Sequence, residues 1–293
     1  MSYRFTRDEP VPEGVRRIVR EEVSFATESL KLKKAGERDL AIHEVRKGVK
    51  RVRGLLKLLR PVLGDAYIAE DRAWRDLGRR LSAFRDAGVM VGAFDELRAS
   101  CPKRLYGPVR RRLAGNKQTL SHDVAGAITA VATGLKRAET RLKQWRVQGE
   151  GFQAIAPGLK RTYRQGLRAL QEAETDPAPD NLHELRRRAK EHLYQLRLLE
   201  GVWDAKLRRH EAKVRRLEEM LGSHHNLAVL KTKILEQPAE AGTAKDLEAF
   251  LAVLDEMEQD LAEGALKLGA RVYKDSSADV TKHVKRLWQN WTA

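Results

Sequence analysis

The sequence predicts an all-α protein made of two related halves. Leu, Ala, Arg, Lys and Glu dominate the 293-residue chain, and aromatic residues make up only 6% of it, a composition that favours helices over strands. Apolar residues recur every three or four positions, as on one face of a helix, and strand-like alternation is scarce. A segment of the first half also recurs, without a gap, in the second half. With 42% apolar residues, the chain is long enough to bury a core.

Apolar stripes and helix-breaking residues define the elements of the first half. Six helical segments are predicted, from Pro12 to Lys34, Asp39 to Arg60, Tyr67 to Phe84, Val89 to Ala99, Tyr106 to Leu113 and Gln118 to Trp145. Pro61 is expected to end the second segment, because proline lacks the N–H group that a helix interior requires. Gly149, Gly151 and Pro157 then mark a break, which predicts one helical bundle over residues 1–148 and another over residues 149–293.

The second half repeats this order of elements. Its helical segments run from Leu159 to Glu172, Leu182 to Val202, Leu207 to Leu221, Leu227 to Leu235, Asp246 to Leu268 and Ala278 to Trp288. Loops are predicted at Asp176–Asp180 and at Gln237–Thr243. A shift of 140 residues aligns Ile42–Met90 with Leu182–Leu230, and twelve of the 49 aligned positions are identical. We infer an internal duplication.

The helix that begins near Asp39 is predicted to have one apolar face and one basic face. On a wheel of ~100° per residue, the inward arc carries Val45, Val49, Val52, Leu56 and Leu59. The opposite flank carries His43, Arg46, Lys47, Lys50, Arg53 and Lys57, and only Gly54 interrupts it. Basic groups stacked on one face repel one another unless an anion or solvent compensates.

The helix that begins near Leu182 repeats this scheme. Its inward residues are Leu182, Leu185, Ala189, Leu196 and Leu199. Its outward residues are His183, Arg186, Arg187, Lys190 and Arg197. Leu193 and Tyr194 stand where the first copy has Arg53 and Gly54, and Glu191 and Glu200 add negative charge. We therefore expect the first copy to contribute more of the positive field.

The charge of the chain indicates the class of partner. The 57 Lys and Arg residues outnumber the 41 Asp and Glu residues, and the resulting net charge of +16 attracts nucleic acid, anionic membrane or another phosphate polymer. A merely solvated basic surface is the alternative. The longest uncharged stretch, Val124–Leu135, has 12 residues and falls short of the ~18 to 20 that span a bilayer. Cys101 is the only cysteine, which is typical of a reducing compartment, and we expect a cytoplasmic protein.

His43 and His183 are predicted to lie in the first turn of their helices. Backbone N–H groups and the positive end of the helix dipole favour anions there. The same dipole disfavours a charged imidazole. We therefore expect each histidine to be neutral without ligand and to gain a proton when a polyanion binds.

Four motifs resemble those of the CHAD family, named for its histidine-bearing α-helical domain. They are His43-x-x-Arg46-x-x-x-Lys50-x-x-Arg53, its echo His183-x-x-Arg186-x-x-x-Lys190, and the trailing pair Leu81-x-x-x-Arg85-Asp86-x-x-Val89 and Leu221-x-x-x-His225-Asn226-x-x-Val229. The resemblance extends from about Val15 to Trp288. It implies two four-helix-type bundles related by pseudo-twofold symmetry. It also implies that a basic central surface binds inorganic polyphosphate, with targeting to polyphosphate granules as one use of that binding.

Carried over by position, the resemblance also implies which residues line that surface. They are His43, Arg46, Lys47, Lys50, Arg53, His183, Arg186, Arg187 and Lys190. The helical wheel adds Lys57 and Arg197. Two departures, Leu193 opposite Arg53 and His225 opposite Arg85, predict that the two halves contribute unequally.

Two other functions remain open at this point. Nucleic acid is attracted by the same cations, but single-strand binders interleave cations with aromatic residues, and the two basic helices contain only Tyr194. An enzyme needs a nucleophile motif, a phosphate loop or paired carboxylates, none of which stands out; Glu44 and Glu184 are expected to pair with adjacent basic residues. We therefore expect non-catalytic polyphosphate binding, with no cofactor, metal ion or membrane. The oligomeric state is left open.

Overall fold

The computed structural model describes residues 3–31, 35–120, 124–236 and 243–293. Across these ranges every regular element is a helix, which confirms the predicted all-α class. Two 3-10 helices, Gly151–Ala154 and Glu200–Val202, accompany the α-helices. The α-helices are α1 (Val11–Ser29), α2 (Ala35–Leu63), α3 (Ala66–Arg80), α4 (Ser82–Glu96), α5 (Lys103–Leu120), α6 (Val124–Leu142), α7 (Ala156–Thr175), α8 (Pro179–Leu198), α9 (Ala205–Leu235), α10 (Ala244–Val272) and α11 (Ser277–Thr292).

Several predicted helix boundaries are wrong, and three of them change where a helix ends or breaks. Helix α2 continues past Pro61, which lies in its last turn, where the missing N–H removes only a terminal hydrogen bond. The predicted segment from Tyr67 to Phe84 instead breaks at Leu81, whose φ of −106° and ψ of 0° separate α3 from α4. In the second half, the two segments predicted on either side of Gly222 form one continuous helix, α9, because no proline interrupts its hydrogen bonds.

Two other predictions reach beyond the described residues. The helix predicted from Gln118 to Trp145 appears as the end of α5 and as α6, with residues 121–123 outside the described ranges. Most of the loop predicted at Gln237–Thr243 also lies outside them. The loop predicted at Asp176–Asp180 is shorter than expected, because Pro179 is the first residue of α8, a position that proline favours.

The main hydrophobic core contains residues from both halves of the chain. Helices α2 and α8 bury their predicted inward faces in it, and each inward residue is at most 3% exposed: Val45, Val49, Val52, Leu56, Leu59, Leu182, Leu185, Ala189, Leu196 and Leu199. A second cluster joins α4 and α5 to the end of α9 and the start of α10. The wheel prediction for the two inward faces is therefore confirmed, while the division of the chain near residue 148 stays a prediction.

Glycines allow α2 to pack closely against α7 and α8. A β-carbon on Gly54 would lie 2.7 Å from Cβ of Tyr194, a residue of α8. A β-carbon on Gly158, in the first turn of α7, would lie 1.7 Å from the carbonyl oxygen of Leu58. Gly54 therefore interrupts the basic flank of α2 at the place where α8 packs against it.

A pair of histidines lies in the interior beside α8. His192 is fully buried, and its Nε2 atom lies 2.9 Å from Nε2 of His210 on α9. Burial, with a smaller contribution from His210, holds the pKa of His192 well below its usual value. Burial also lowers the pKa of His210 to about 4; Lys213 and Lys206 act in the same direction, and Asp275 opposes them. Both imidazoles are therefore neutral at pH 7.

We expect this pair to make the fold sensitive to acid. A histidine whose pKa is lower in the folded state than in the unfolded state costs stability as the pH falls from the unfolded value through the folded one. For His210 this window runs from about 6.5 to about 4. The free energy of unfolding should fall by roughly 2 kcal/mol between pH 7 and pH 5 through His210 alone.

Urea unfolding of the wild type and of His210→Gln at both pH values measures this contribution. Other groups also titrate in this range, so the quantity to compare is the change in unfolding free energy with pH in the two proteins. The substitution should reduce that change by about 2 kcal/mol. An identical pH dependence in both proteins would contradict the assignment.

Candidate functional site

The basic faces of α2 and α8 meet around Lys50. The two helices pack against each other, and Lys50 lies on the solvent-exposed side of α2. Desolvation, followed by the charges of Lys190, Arg46 and Arg186, lowers the pKa of Lys50 to about 8. The side chain of Lys50 is exposed, so its ammonium group is not enclosed. The desolvation comes from protein atoms packed around that group. Four predicted cations from two helices thus contribute to one positive region.

Lys50 has no carboxylate partner among the described residues. It makes neither a hydrogen bond nor an ion pair with them. Glu218 raises the pKa of Lys50, but its effect is smaller than that of burial or of any of the three cations that lower it. Like-charged neighbours therefore dominate its surroundings. The charged form of a lysine in such surroundings is stabilised most when an external anion binds.

The two basic helices differ in what faces their central cations. Arg46 donates a hydrogen bond from Nη1 to the carbonyl oxygen of Gly78 on α3, at 3.3 Å. The 140-residue shift aligns Gly78 with Glu218 on α9. Oε1 of Glu218 lies 3.4 Å from Nε of Arg186 and 2.6 Å from Nζ of Lys190. One carboxylate therefore serves both central cations of the second copy.

Glu218 is held in its charged form. Burial by itself would raise the pKa of Glu218, but attraction and hydrogen bonds from Lys190 and Arg186 outweigh burial and keep the pKa below its usual value. The carboxylate thus offsets much of the positive charge of α8 at neutral pH. This agrees with the expected inequality between the copies, although the sequence argument rested on Glu191 and Glu200.

Three further predicted cations are also paired with carboxylates from neighbouring helices. Arg53 binds Asp71 of α3 through two hydrogen bonds, at 2.9 and 3.3 Å. Lys57 is hydrogen-bonded across the helix pair to Glu191 of α8. Arg197 of α8 lies 3.5 Å from Glu211 of α9. These residues lie where the helical wheel placed them, but they are less available to an outside anion than the wheel suggested.

The remaining cations pair within their own helices. Lys47 lies 3.4 Å from Glu44, and Arg187 lies 2.6 Å from Glu184. These pairs confirm the expectation that Glu44 and Glu184 are held by adjacent basic residues. Pairs of this kind on an exposed helix contribute only about 0.3 to 0.5 kcal/mol. An incoming polyanion can replace them at little cost.

The histidine positions differ from the sequence prediction. Helix α2 begins at Ala35 and α8 at Pro179, which places His43 in the third turn and His183 in the second. The prediction that both lie in the first turn is therefore wrong, because each helix starts earlier than its apolar stripe. His43 keeps a contact of 3.9 Å between its Nε2 and Oε1 of Glu44.

His183 is paired with a second histidine. Its Nδ1 lies 3.3 Å from Nδ1 of His225 on α9. Burial, then Arg186 and Arg187, lowers the pKa of His183. Burial, then His183, Arg186 and His224, lowers the pKa of His225 to about 4. The expectation that His183 is neutral without ligand thus has support, but from burial and nearby cations rather than from the helix dipole.

Sequence analysis did not identify a shelf of arginines formed by α3 and the end of α2. A cavity of about 530 Å³ is lined by the shelf residues Arg60, Arg72, Arg75 and Arg79, and by Tyr67, Ile68, Asp71 and Asp76. Asp71 also binds Arg53, so the shelf adjoins the basic face of α2. The signal was present in the sequence, because residues 72, 75 and 79 follow the three- and four-residue spacing of one helix face.

The described ranges contain neither a metal-binding cluster nor a membrane-spanning helix. No group of three or more His, Cys, Asp or Glu side chains there is arranged to hold a metal ion. None of the helices in the same ranges is both long and apolar enough to cross a bilayer.

Comparison with known proteins identifies the family. The family model of the CHAD domain matches residues 26–235, which include α2, α8 and α9. The chain belongs to the CHAD domain family. A crystal structure of the CHAD domain from the plant Ricinus communis has a similar fold, with a TM-score of 0.64, 17% sequence identity, and coverage of 97% of this chain and 94% of that one.

Two curated relatives are longer proteins. Uncharacterised proteins from two strains of Mycobacterium tuberculosis are each 28% identical to this CHAD protein over 252 residues. The matched region is 76% of this chain but 45% of each relative. The matched part of the chain therefore covers less than half the length of those proteins.

Proposed function

We propose that this CHAD protein binds inorganic polyphosphate, without catalysis, along the surface formed by α2 and α8. The observation that carries the proposal is the concentration of cations from both helices around Lys50, which is exposed and has no carboxylate partner among the described residues. Membership of the CHAD family, which is associated with polyphosphate binding, supports the same ligand. Arg60 at the end of α2 and Arg72, Arg75 and Arg79 on α3 extend the surface.

Binding follows from exchange of counterions. A polyphosphate chain carries condensed cations, and lysine and arginine side chains replace them when the chain binds, which releases those cations to solvent. Arginine can hold a phosphate through two hydrogen bonds, whereas lysine acts as a compact charge. A surface of mixed Arg and Lys therefore accepts a flexible polymer in several registers.

The proposal includes an internal duplication with a pseudo-twofold axis between α2 and α8. The 140-residue shift relates Gly54 to Tyr194 and Lys50 to Lys190. Gly54 contacts Tyr194, and Lys50 lies within the electrostatic reach of Lys190. Contact between aligned residues is what a symmetry axis between the two helices would produce, and it supports the proposal. A polymer lying across the axis would encounter both copies at once.

Nucleic acid is the second candidate, because its phosphates are attracted by the same cations. The aromatic side chain that the sequence offered for stacking is not accessible. Tyr194 is 7% exposed, and its ring meets that of Tyr3 edge-on at 6.2 Å. Stacking on exposed aromatic rings gives single-strand binders much of their affinity for bases. A polymer without bases is therefore the better fit.

Competition between the two polymers tests the proposal. The full chain, bound to labelled single-stranded or duplex DNA, is titrated with long-chain polyphosphate at matched salt. Polyphosphate should displace the DNA, and phosphate release in the presence of divalent metal should stay at background. Failure of polyphosphate to displace DNA would reverse the ranking, and steady release of phosphate would refute the non-catalytic part.

We expect Glu218→Gln to strengthen polyphosphate binding. The substitution keeps the shape of the side chain and removes the charge that offsets Arg186 and Lys190. Releasing two charge-assisted pairs at a partly exposed site should tighten binding by about three- to tenfold. Calorimetric titration of both proteins with polyphosphate of one length measures the change.

Glu219→Gln is the matched control. Glu219 is the next residue on α9, is exposed, and lies 3.8 Å from Arg216 rather than from α8. The Glu219→Gln substitution removes the same charge and leaves the ion pairs of Arg186 and Lys190 with Glu218 intact. An equal gain in both variants would mean that net charge alone, and not the carboxylate at this position, limits binding.

A further inference from the structure

A cavity of about 220 Å³ lies between the start of α9 and the end of α10. It is lined by five cationic side chains, one carboxylate, one imidazole and one apolar residue, which are Lys206, Arg209, Lys213, Arg271, Lys274, Asp275, His210 and Val272. The cations come from three segments of chain: α9, α10 and the turn after α10. They therefore surround one volume instead of forming a row.

Most of this positive charge is not neutralised within the described chain. Lys206 lies 3.5 Å from Asp275, and Arg209 donates a hydrogen bond to the backbone carbonyl oxygen of Ala205 at 3.1 Å. The other three cations, Lys213, Arg271 and Lys274, make no hydrogen bond or ion pair with the residues that the structure describes. Five positive charges thus face one carboxylate.

The wall of the cavity is held in place from inside the protein. The hydroxyl group of the buried Tyr163 lies 2.9 Å from the backbone carbonyl oxygen of Asp275 and 3.2 Å from that of Val272. These contacts fix the turn that carries Lys274. A site whose backbone is already ordered loses less entropy when it binds a ligand.

The histidine pair supplies a neutral donor at the cavity. Nδ1 of His192 is buried and has no hydrogen-bond partner in the part of the chain that the structure describes. If Nδ1 carried the proton of His192, an N–H group would be buried without an acceptor. We therefore place that proton on Nε2. His210 then accepts at its Nε2 and carries its own proton on Nδ1. His210 lines the cavity, so its N–H group is the remaining donor of the pair.

The cavity lies on a different side of α9 from the proposed polyphosphate surface. Glu211 and Glu218 of α9 face the cations of α8. Lys213 follows Glu211 by two positions, which turns its side chain by ~200° around the helix. Lys213 therefore projects away from the side of α9 that faces the cations of α8.

We infer that this cavity is a second anion site, which takes a compact ligand with two or more phosphate groups, such as pyrophosphate. Several cations that converge on a small volume suit a short, highly charged anion, whereas an extended row suits a long chain. The volume is about seven times the ~30 Å³ share of one water molecule in the liquid. The ligand is either a free compact phosphate or the end of a polyphosphate chain. Only the second of these sources rests on the function proposed for α2 and α8.

Calorimetric titration of the full chain with inorganic pyrophosphate tests the inference. The cavity variant combines Lys213→Ala, Arg271→Ala and Lys274→Ala. A matched variant combines Lys143→Ala, Lys282→Ala and Lys285→Ala, which removes the same charge from exposed positions elsewhere. We expect pyrophosphate to bind the wild type and the matched variant at one saturable site, and the cavity variant about tenfold more weakly or not at all. Imidazole NMR signals of His210 should shift on binding.

A second arm distinguishes the two sources of the ligand and separates this site from the polyphosphate surface. The same variants, and one with Arg46→Ala and Lys50→Ala, are titrated with long polyphosphate. Loss of pyrophosphate binding in the cavity variant alone supports a site for free compact phosphates. An additional, smaller loss of long-chain binding supports capture of chain ends. Equal pyrophosphate binding in the cavity and matched variants, or equal loss in the Arg46 and Lys50 variant, would overturn the inference.

Discussion

Replacing Arg46 and Lys50 together by Ala is expected to weaken polyphosphate binding by about ten- to a hundredfold. These residues lie at the centre of the positive region, where Lys50 has no carboxylate partner among the described residues. A charge-assisted hydrogen bond contributes about 1.5 to 3 kcal/mol, exposed pairs contribute less, and each 1.4 kcal/mol corresponds to a factor of ten. Titration of the folded variant with long-chain polyphosphate measures the loss.

The equivalent pair in the second copy provides the comparison. Arg186→Ala with Lys190→Ala should cost only a few-fold, because Glu218 already offsets both cations. Lys282→Ala with Lys285→Ala, on exposed positions of α11, controls for the loss of two positive charges and should change binding least. Equal losses from the two central pairs would contradict the asymmetry between the copies.

Salt is expected to change the affinity for polyphosphate more than these substitutions do. Raising the ionic strength from about 50 to about 200 mM should weaken polyphosphate binding by roughly a thousandfold, the lower end of the range for six to ten phosphate contacts. The lower end applies because carboxylates already pair with Arg53, Lys57 and Arg197. Titrations at four salt concentrations give the slope of log affinity against log salt.

The Arg46 and Lys50 variant is the internal check on that slope. Removing two phosphate contacts should make the slope shallower by about two. A wild-type affinity that hardly changes with salt would mean that the binding does not depend on lysine and arginine contacts, whatever the ligand.

The sequence predicted the interior of the fold better than the ends of its helices. The apolar arcs of α2 and α8 fix which residues are buried, because only one helix rotation hides Val45, Val52 and Leu56 together. Helix continuity depends on neighbours as well as on local residues. The chain bends at Leu81 but stays helical at the aligned Leu221, although both are leucine.

The candidate site was predicted in position but not in charge. A helical wheel shows the cations of one helix, and it omits the carboxylates that other helices place beside them. Asp71 and Glu211 pair with Arg53 and Arg197 only after α3 and α9 have packed. The difference between Gly78 and Glu218 was visible in the aligned copies, but its meaning required the contact with Lys190.

Binding affinity as a function of polyphosphate chain length, measured beside DNA at matched salt, is the most direct test of a single surface shared by α2 and α8. We predict that affinity rises with chain length until one chain spans both helices, that one such chain binds each protein, and that DNA of equal charge binds more weakly. Equal affinity for short and long chains, or tighter binding of DNA, would contradict a continuous polyphosphate surface.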